Sequence, residues 1–410
     1  MVSIPKDWSL GRLENVCLQI RSGGTPLTTV PGYWGGSIPW AVIADITSSG
    51  KFLTRTATSI TGLGLASSAA SLFPENTILY SMYASLGQVC ITQIPVATNQ
   101  AILGIIPNEN IVTTPYLYYA LSSLKTEVMS QRQTGTQSNL SANIVKKIQI
   151  LIPPHPEQRA IAEVLSTFDE HLASLDALIE KKTAFFSDLL NSIDVGNDFS
   201  KEQHIIGKLG SYADVKVGPF GSMLHKSDYV SVGTPIVTVE HLGERNFSKE
   251  NLPFVSSKDW VRLKNYTLRP GDIVFSRVGS IDRSTFVDSE NNGWLFSGRC
   301  LRVRVISNLI LPIYLYYLLN TVRIKSYLAA VAVGGTMPCL NTKLLLEVPL
   351  MFIKDVDEQR MIAEALEDVR AELDSLRAER AKVEMLKQAA MDDLLSGRVR
   401  LQVQEVCDAV

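Results

Sequence analysis

The sequence predicts two mixed α/β (α+β) lobes in tandem, each followed by a long helix, with the two helices paired as an antiparallel coiled coil. Three observations carry this: a short pattern written twice about two hundred residues apart, a hydrophobic seam after each copy, and a charge that alternates in step with them. The implied boundaries are residues 1–154 for the first lobe, 155–199 for the central helix, 200–350 for the second lobe, and 351–410 for the distal helix and tail. A chain of 410 residues is long enough for such units to bury cores of their own.

The repeat is anchored by Gly135-Thr136, Leu140, Pro153 and Glu157-Gln158-Arg159 with Ile161-Ala162-Glu163. These recur as Gly335-Thr336, Leu340, Pro349 and Glu358-Gln359-Arg360 with Ile362-Ala363-Glu364. Gly11-Arg12-Leu13 answers Gly207-Lys208-Leu209, Ile78 to Ser81 answers Ile273 to Ser276, and Tyr116 to Tyr119 answers Tyr314 to Tyr317. The offset drifts slowly, as it does when two related units differ in loop length.

The first lobe has short β-rich runs at 77–80 and 88–94 and a helical stretch at 116–124, set between Gly and Pro turns. After Pro153-Pro154-His155-Pro156 the pattern changes. Ile161, Leu165, Phe168, Leu172, Leu175, Ile179, Phe186, Leu189 and Ile193 follow the a/d spacing of a coiled coil, with Pro156 suited to the first turn and Lys182 on the seam. The second lobe has strand-like runs at 235–239, 272–275 and 301–306 and one helix expected over 313–327.

The seam then returns as Ile362, Leu366, Val369, Leu373, Leu376 and Val383, continuing to Ala390 and Leu394, with Arg380 and Lys387 on it. Asp355 or Asp357 caps its start and Gly397 stops it. Neither helix is stable alone with an apolar stripe exposed, so they are expected to pair antiparallel, and the polar seam residues to fix the register.

The net charge of −2 conceals a segregation. Residues 1–154 carry 9 basic against 6 acidic side chains and 201–350 carry 18 against 12, whereas 155–200 carry 3 against 9 and 351–410 carry 9 against 14. Lobes of this kind suit a polyanion; the connectors do not. The longest apolar stretch, Leu309 to Leu319, is shorter than a membrane span needs, and Met1 to Trp8 has no signal-peptide pattern, so a cytoplasmic location without membrane attachment is expected. Cys17, Cys90, Cys300, Cys339 and Cys407 are scattered, and the five histidines lack ligand spacing, so neither disulfides nor a metal site is expected.

Catalytic signatures are missing. There is no Walker A segment, no dinucleotide fingerprint and no readable nucleophile triad. Pro153-Pro154 lacks the preceding Asn or Asp and the following aromatic that hold a flipped base. Gly23-Gly24 and Gly334-Gly335 are expected as turn glycines, not phosphate cradles. The lobes offer instead loops rich in Arg, Lys, Gln, Asn, Ser and aromatics beside Gly, groups that bond phosphates and base edges. In the first lobe the candidates are Arg21, Ser22, Thr25, Tyr33, Gln88, Asn99, Gln100, Arg132 and Thr136. In the second they are Ser222, Lys226, Arg277, Ser280, Arg283, Arg299 and Thr336.

Ile4-Pro5-Lys6-Asp7-Trp8, Gly24-Thr25-Pro26, Tyr33-Trp34-Gly35, Ile38-Pro39-Trp40 and Thr98-Asn99-Gln100 occur in that order. They are followed by the first anchor, Gly218-Pro219-Phe220-Gly221-Ser222, Gly271-Asp272-Ile273 and the tail Leu394 to Val399. In this two-copy frame the chain resembles the specificity (S) subunit of type I restriction-modification systems over essentially its full length. The resemblance implies two target recognition domains, each reading half of a bipartite site in double-stranded DNA, with the unread spacer set by the helices. It implies recruitment of methyltransferase (M) subunits, two in number, and restriction (R) subunits. S-adenosylmethionine, ATP and Mg belong to those partners; this chain carries no cofactor and is not itself an enzyme.

Aligning the lobes sets Met82, Gln88 and Gln100 opposite Arg277, Arg283 and Arg299. Because Arg pairs with guanine edges and Gln with adenine, the second half-site is expected to be richer in guanine. The exposed helix faces and the tyrosine-rich helices are candidate partner surfaces, with core packing the stronger expectation for the tyrosines. Competing readings are the specificity subunit of a related fused, type IIB-like restriction-methylation system, and a coiled-coil adaptor with peptide-binding lobes. Salt-sensitive duplex binding separates the adaptor from the others.

Overall fold

The structure, a computed structural model, describes residues 4–83, 86–124, 141–193, 203–332 and 339–402. The chain folds as two compact units: Met1–Asp176 with Ala378–Val410, and Ala177–Arg377. Each contains one lobe and one stretch of each long helix.

In the first unit a five-stranded sheet runs in the order Cys17–Ser22, Ile102–Pro107, Ile78–Ser81, Val89–Thr92, Phe52–Leu53, and a four-stranded sheet in the order Thr58–Ile60, Trp34–Ala41, Val96–Thr98, Ser71–Phe73. Ile78 to Ser81 and Val89 to Thr92 are buried on both faces, which explains their continuous rather than alternating apolar character. Helix Thr114–Ser123 lays Tyr116, Leu117 and Tyr119 into the core. Ser9–Arg12 pairs antiparallel with Gln149–Ile152, so the lobe's first strand is tied to the one leading into the long helix.

The second unit repeats the plan. Its main sheet runs Ala213–Val217, Cys300–Val305, Ile273–Ser276, Ser284–Phe286, a smaller one Tyr229–Val230, Phe254–Val255, Thr234–Val237, Leu295–Phe296, and His204–Lys208 pairs with Pro349–Ile353. The helix expected over 313–327 is broken into Pro312–Leu319 and Val322–Val331. At the break the Asn320 side-chain amide donates to the Tyr316 carbonyl at 2.8 Å and to Ser284 Oγ at 3.0 Å, and Thr321 Oγ1 donates to the Leu318 carbonyl at 2.9 Å. Side chains that bond the preceding turn in this way compete with helix continuation. Tyr314, Tyr316 and Tyr317 are core residues, as are Tyr116 and Tyr119.

The long helices are His155–Ser192 and Val356–Leu395. Asp355 Oδ1 caps the second by accepting the N–H groups of Asp357 and Glu358 at 2.8 and 3.2 Å, and Gly397 follows its end with φ +72°. None of the fourteen seam residues from Ile161 to Leu189 and Ile362 to Val383 is exposed. In the first unit Arg380 bonds Asp176 at 2.5 Å and Lys387 bonds Asp169 at 2.6 Å; in the second, Lys182 bonds Glu372 at 2.6 Å and the Arg370 guanidinium lies 4.7 Å from the Phe186 ring centroid. Partner numbers fall on one helix as they rise on the other, the mark of antiparallel pairing. All three polar seam residues thus face a carboxylate or lie beside one on the opposite helix.

The seam is also lobe core. Ile161, Leu165, Met391 and Leu394 are buried with Trp8, Leu13 and Tyr116 in the first unit, and Leu366, Ile193 and flanking Phe186 and Leu189 with Tyr317 in the second. Leu178, Phe185, Met361, Met385 and Leu386 remain exposed on the helices. No helix of the described residues is long and apolar enough to cross a membrane.

Candidate nucleic-acid interface

Strand ends, rather than proximity in sequence, assemble the candidate residues. In the second unit Ser276 pairs with Cys300 and Phe275 with Ser284, so Arg277, Arg283 and Arg299 emerge together just beyond three adjacent strands. Backbone bonds hold them there: Arg277 N–H donates to the Arg299 carbonyl at 2.8 Å, and Ser276 N–H to the Arg283 carbonyl at 3.0 Å. The same sheet end receives the loop after Val217, because Gly218 N–H donates to the Cys300 carbonyl at 3.2 Å. Ser280 lies exposed in the turn between the strands. Ser222 and Lys226 follow in the Gly218 loop; Arg132, Thr136 and Thr336, with Gly334-Gly335, lie outside the described residues.

The first unit has an equivalent end. Met82 N–H donates to the Ala101 carbonyl and Ser81 N–H to the Gln88 carbonyl, both at 2.9 Å. Met82 and Gln88 therefore occupy the places of Arg277 and Arg283. The residue in the place of Arg299 is Ala101, not Gln100, because Ile102 pairs with Ser81 as Cys300 pairs with Ser276. Gln100 is one step further along, where Thr25 Oγ1 donates to its Oε1 at 2.7 Å. Asn99 Oδ1 accepts the Ala101 N–H at 3.0 Å, and Ser22 accepts from Ser71 at 3.2 Å through its carbonyl. Arg21 is exposed, its guanidinium 5.3 Å from the Phe73 ring centroid and bonded to the Leu72 carbonyl at 3.2 Å. Tyr33 ends the short 3₁₀ turn Pro31–Tyr33 that leads into strand Trp34–Ala41 of the smaller sheet, its carbonyl accepting from Thr61 N–H at 3.0 Å.

Gly23 and Gly218 serve close approach rather than a turn. A Cβ on Gly23 would stand 1.9 Å from the Thr98 carbonyl oxygen, and one on Gly218 would stand 2.2 Å from that of Ser297. Neither has a positive φ. What they permit is a close approach of the outgoing loop to the neighbouring strand end, at matching places in the two lobes.

Charge pairing separates these arginines from Arg245, Arg302 and Arg304 of the same unit. Arg245 is bonded bidentately to Asp288 and to Glu367, Arg304 to Asp272 at 2.6 Å, and Arg302 to Asp214. Around Arg277, Arg283 and Arg299 no carboxylate of the described residues lies within salt-bridge distance. Arg277 Nη1 donates to the Gly298 carbonyl at 3.1 Å. Burial raises the phenol pKa of Tyr229 and the charge of Arg299 partly offsets it. Unneutralised guanidinium groups held by backbone geometry are suited to phosphates and to guanine edges.

Burial pushes the thiols of Cys17, Cys90 and Cys300 up to about 12, and among the described residues no group of three His, Cys, Asp or Glu side chains is placed to hold a metal ion.

A profile of the type I restriction modification DNA specificity domain matches residues 5–182 and again 217–385. The MjaIX type I restriction enzyme specificity subunit of Methanocaldococcus jannaschii is 34% identical over 300 residues, 67% of this chain and 67% of that one. The MjaVIII specificity subunit of the same organism is 24% identical over 304 residues, 70% of each. Among solved structures, the type I restriction-modification S subunit from M. genitalium superposes with a TM-score of 0.61 at 17% identity, covering 96% of this chain and 98% of the other. A chain from a study of complex assembly and conformational transition in the type I system gives 0.60 at 16% identity, covering 97% and 100%.

Proposed function

The chain belongs to the type I restriction-modification DNA specificity family, and we propose that within it this protein is the non-catalytic subunit in which each lobe reads one half of a bipartite DNA site. The observation that supports this most is the sheet end carrying Arg277, Arg283 and Arg299, fixed by backbone bonds and unneutralised by described carboxylates, with an equivalent end carrying Gln88, Asn99 and Gln100 in the other lobe. Paired helices make spacer length a property of protein length in such a reader. The exposed apolar residues Phe185, Met385 and Leu386 suit the docking of partner subunits on the helices.

In this reading two methyltransferase subunits bring S-adenosylmethionine and methylate adenine, restriction subunits bring ATP- and Mg-dependent cleavage, and the assembly works in the cytoplasm. The test is genome-wide mapping of N6-methyladenine in cells with and without the gene, with the neighbouring methyltransferase subunit active. A gene-dependent bipartite motif with one methylated adenine in each half is the expected result; unchanged methylation removes the assignment.

A further inference from the structure

The second unit contains a cavity of about 500 Å³ that the sheet-end reading does not use. Its walls carry four cations, Arg283, Lys325, Arg370 and Arg377, against two carboxylates, Glu244 and Asp282. Arg283 comes from the candidate reading end itself. Lys325 comes from helix Val322–Val331, and Arg370 and Arg377 lie two turns apart on one face of the second long helix.

The cations are poorly neutralised. Glu244 approaches Arg370 at 3.8 Å and Arg377 at 3.7 Å, and Asp374 approaches Arg377 at 3.6 Å, all too long for hydrogen bonds. Arg370 is stacked on Phe186, its side chain is only 13% exposed, and its buried Nε–H has no acceptor among the described residues. A buried guanidinium N–H without a partner is costly, and a phosphate beside the guanidinium would offset part of that cost through its charge. The neighbouring Arg245, by contrast, has two carboxylates of its own.

We propose that this cavity takes a backbone phosphate of duplex DNA, continuing the contact surface from Arg283 onto the second long helix. The inference rests on the DNA-reading function above and adds to it a positioning site that carries no sequence information. It also places DNA against a helix whose overall charge is acidic.

The test compares the full chain with the Lys325→Ala/Arg377→Ala double variant, which leaves the more buried Arg370 in place and so spares the fold. Binding to duplexes containing the methylation motif and to scrambled duplexes is measured across a salt series. Expected is a uniform loss on the order of tenfold per residue at about 0.1 M salt, with the slope of log affinity against log salt reduced by about one per contact and the methylated motif unchanged. A variant that binds as the wild type does, with the same slope, overturns the proposal while leaving the specificity function intact. A changed motif overturns it too, by making these residues base readers. So does competition by submillimolar inorganic phosphate, which would mark a free-anion site. Failure of the wild type to bind duplex DNA in a salt-sensitive way refutes the underlying function instead.

Discussion

Gln158 Oε1 accepts the backbone N–H of Thr113 at 2.8 Å, while its amide nitrogen donates to the carbonyls of Pro153 and Ile111, both at 2.9 Å. Gln359 does the same in the other unit, accepting from Leu311 at 2.8 Å and donating to Ile353 at 2.8 Å and Leu309 at 2.9 Å. Both side chains are fully buried. One amide thus satisfies three main-chain groups and locks the start of a long helix to the loop that opens the tyrosine-rich helix. The repeated Gln of the anchor motif is a structural clamp.

Replacing it should be severe. Gln158→Ala strands one N–H and two carbonyls in the core, and we expect a loss of about 3 kcal/mol, with Gln359→Ala costing about the same in the second unit. Urea titration reads this as a lower midpoint at unchanged slope. A loss under about 1 kcal/mol would show that water replaces the amide.

Acid should act on the second unit through Glu367. Burial opposes ionisation of this carboxyl, but hydrogen bonds from Arg245 and Tyr317 outweigh it and hold the pKa below the ordinary 4.5. A carboxylate depressed by folding adds stability above its unfolded pKa and gives it up as pH falls through the folded one. Wild type should therefore lose stability below about pH 4.5 more steeply than Glu367→Gln, with the variant less stable at pH 7. Parallel midpoint curves from pH 7 to pH 3 would remove Glu367 from the acid response.

Periodicity made the helices legible: the a/d spacing from Ile161 to Leu189 and from Ile362 to Val383 needs no tertiary knowledge, and the repeated anchor gave the two-copy plan. The proposed reading end was legible only in part. Arg277, Arg283 and Arg299 were visible as residue types, but their convergence depends on strand order, which local pattern does not encode. A one-residue slip in aligning the lobes put Gln100 where Ala101 belongs, because loops on either side differ in length. Arg370 and Arg377 were hidden by averaging: a helix can be acidic in total and still present cations on one face. The break at Asn320 and Thr321 was missed because the surrounding apolar run favours a continuous helix.

The correction at Ala101 sharpens the test of base reading. At this place one lobe carries Arg and the other Ala, so Arg299→Ala gives the second lobe the side chain the first already has. We expect one position of one half-site to relax, at a cost of about 1–3 kcal/mol, with the other half-site unchanged. Methylome mapping of the variant reads both halves at once. An unaltered motif with unaltered affinity would move Arg299 out of the reading surface.

Spacer length offers the sharpest test of the helices. Seven residues return an a/d seam to nearly the same face, so a heptad inserted after Asp176 and another after Arg377 preserves the pairing pattern on both helices. The insertion adds about 10 Å of helix, or about three base pairs of B-DNA. The expected methylation motif keeps both half-sites and gains about three unread base pairs between them. Four-residue insertions shift the downstream seam off its face and should lower stability instead. If the heptad variant folds and methylates with the original spacer, the distance between half-sites is set by something other than the paired helices.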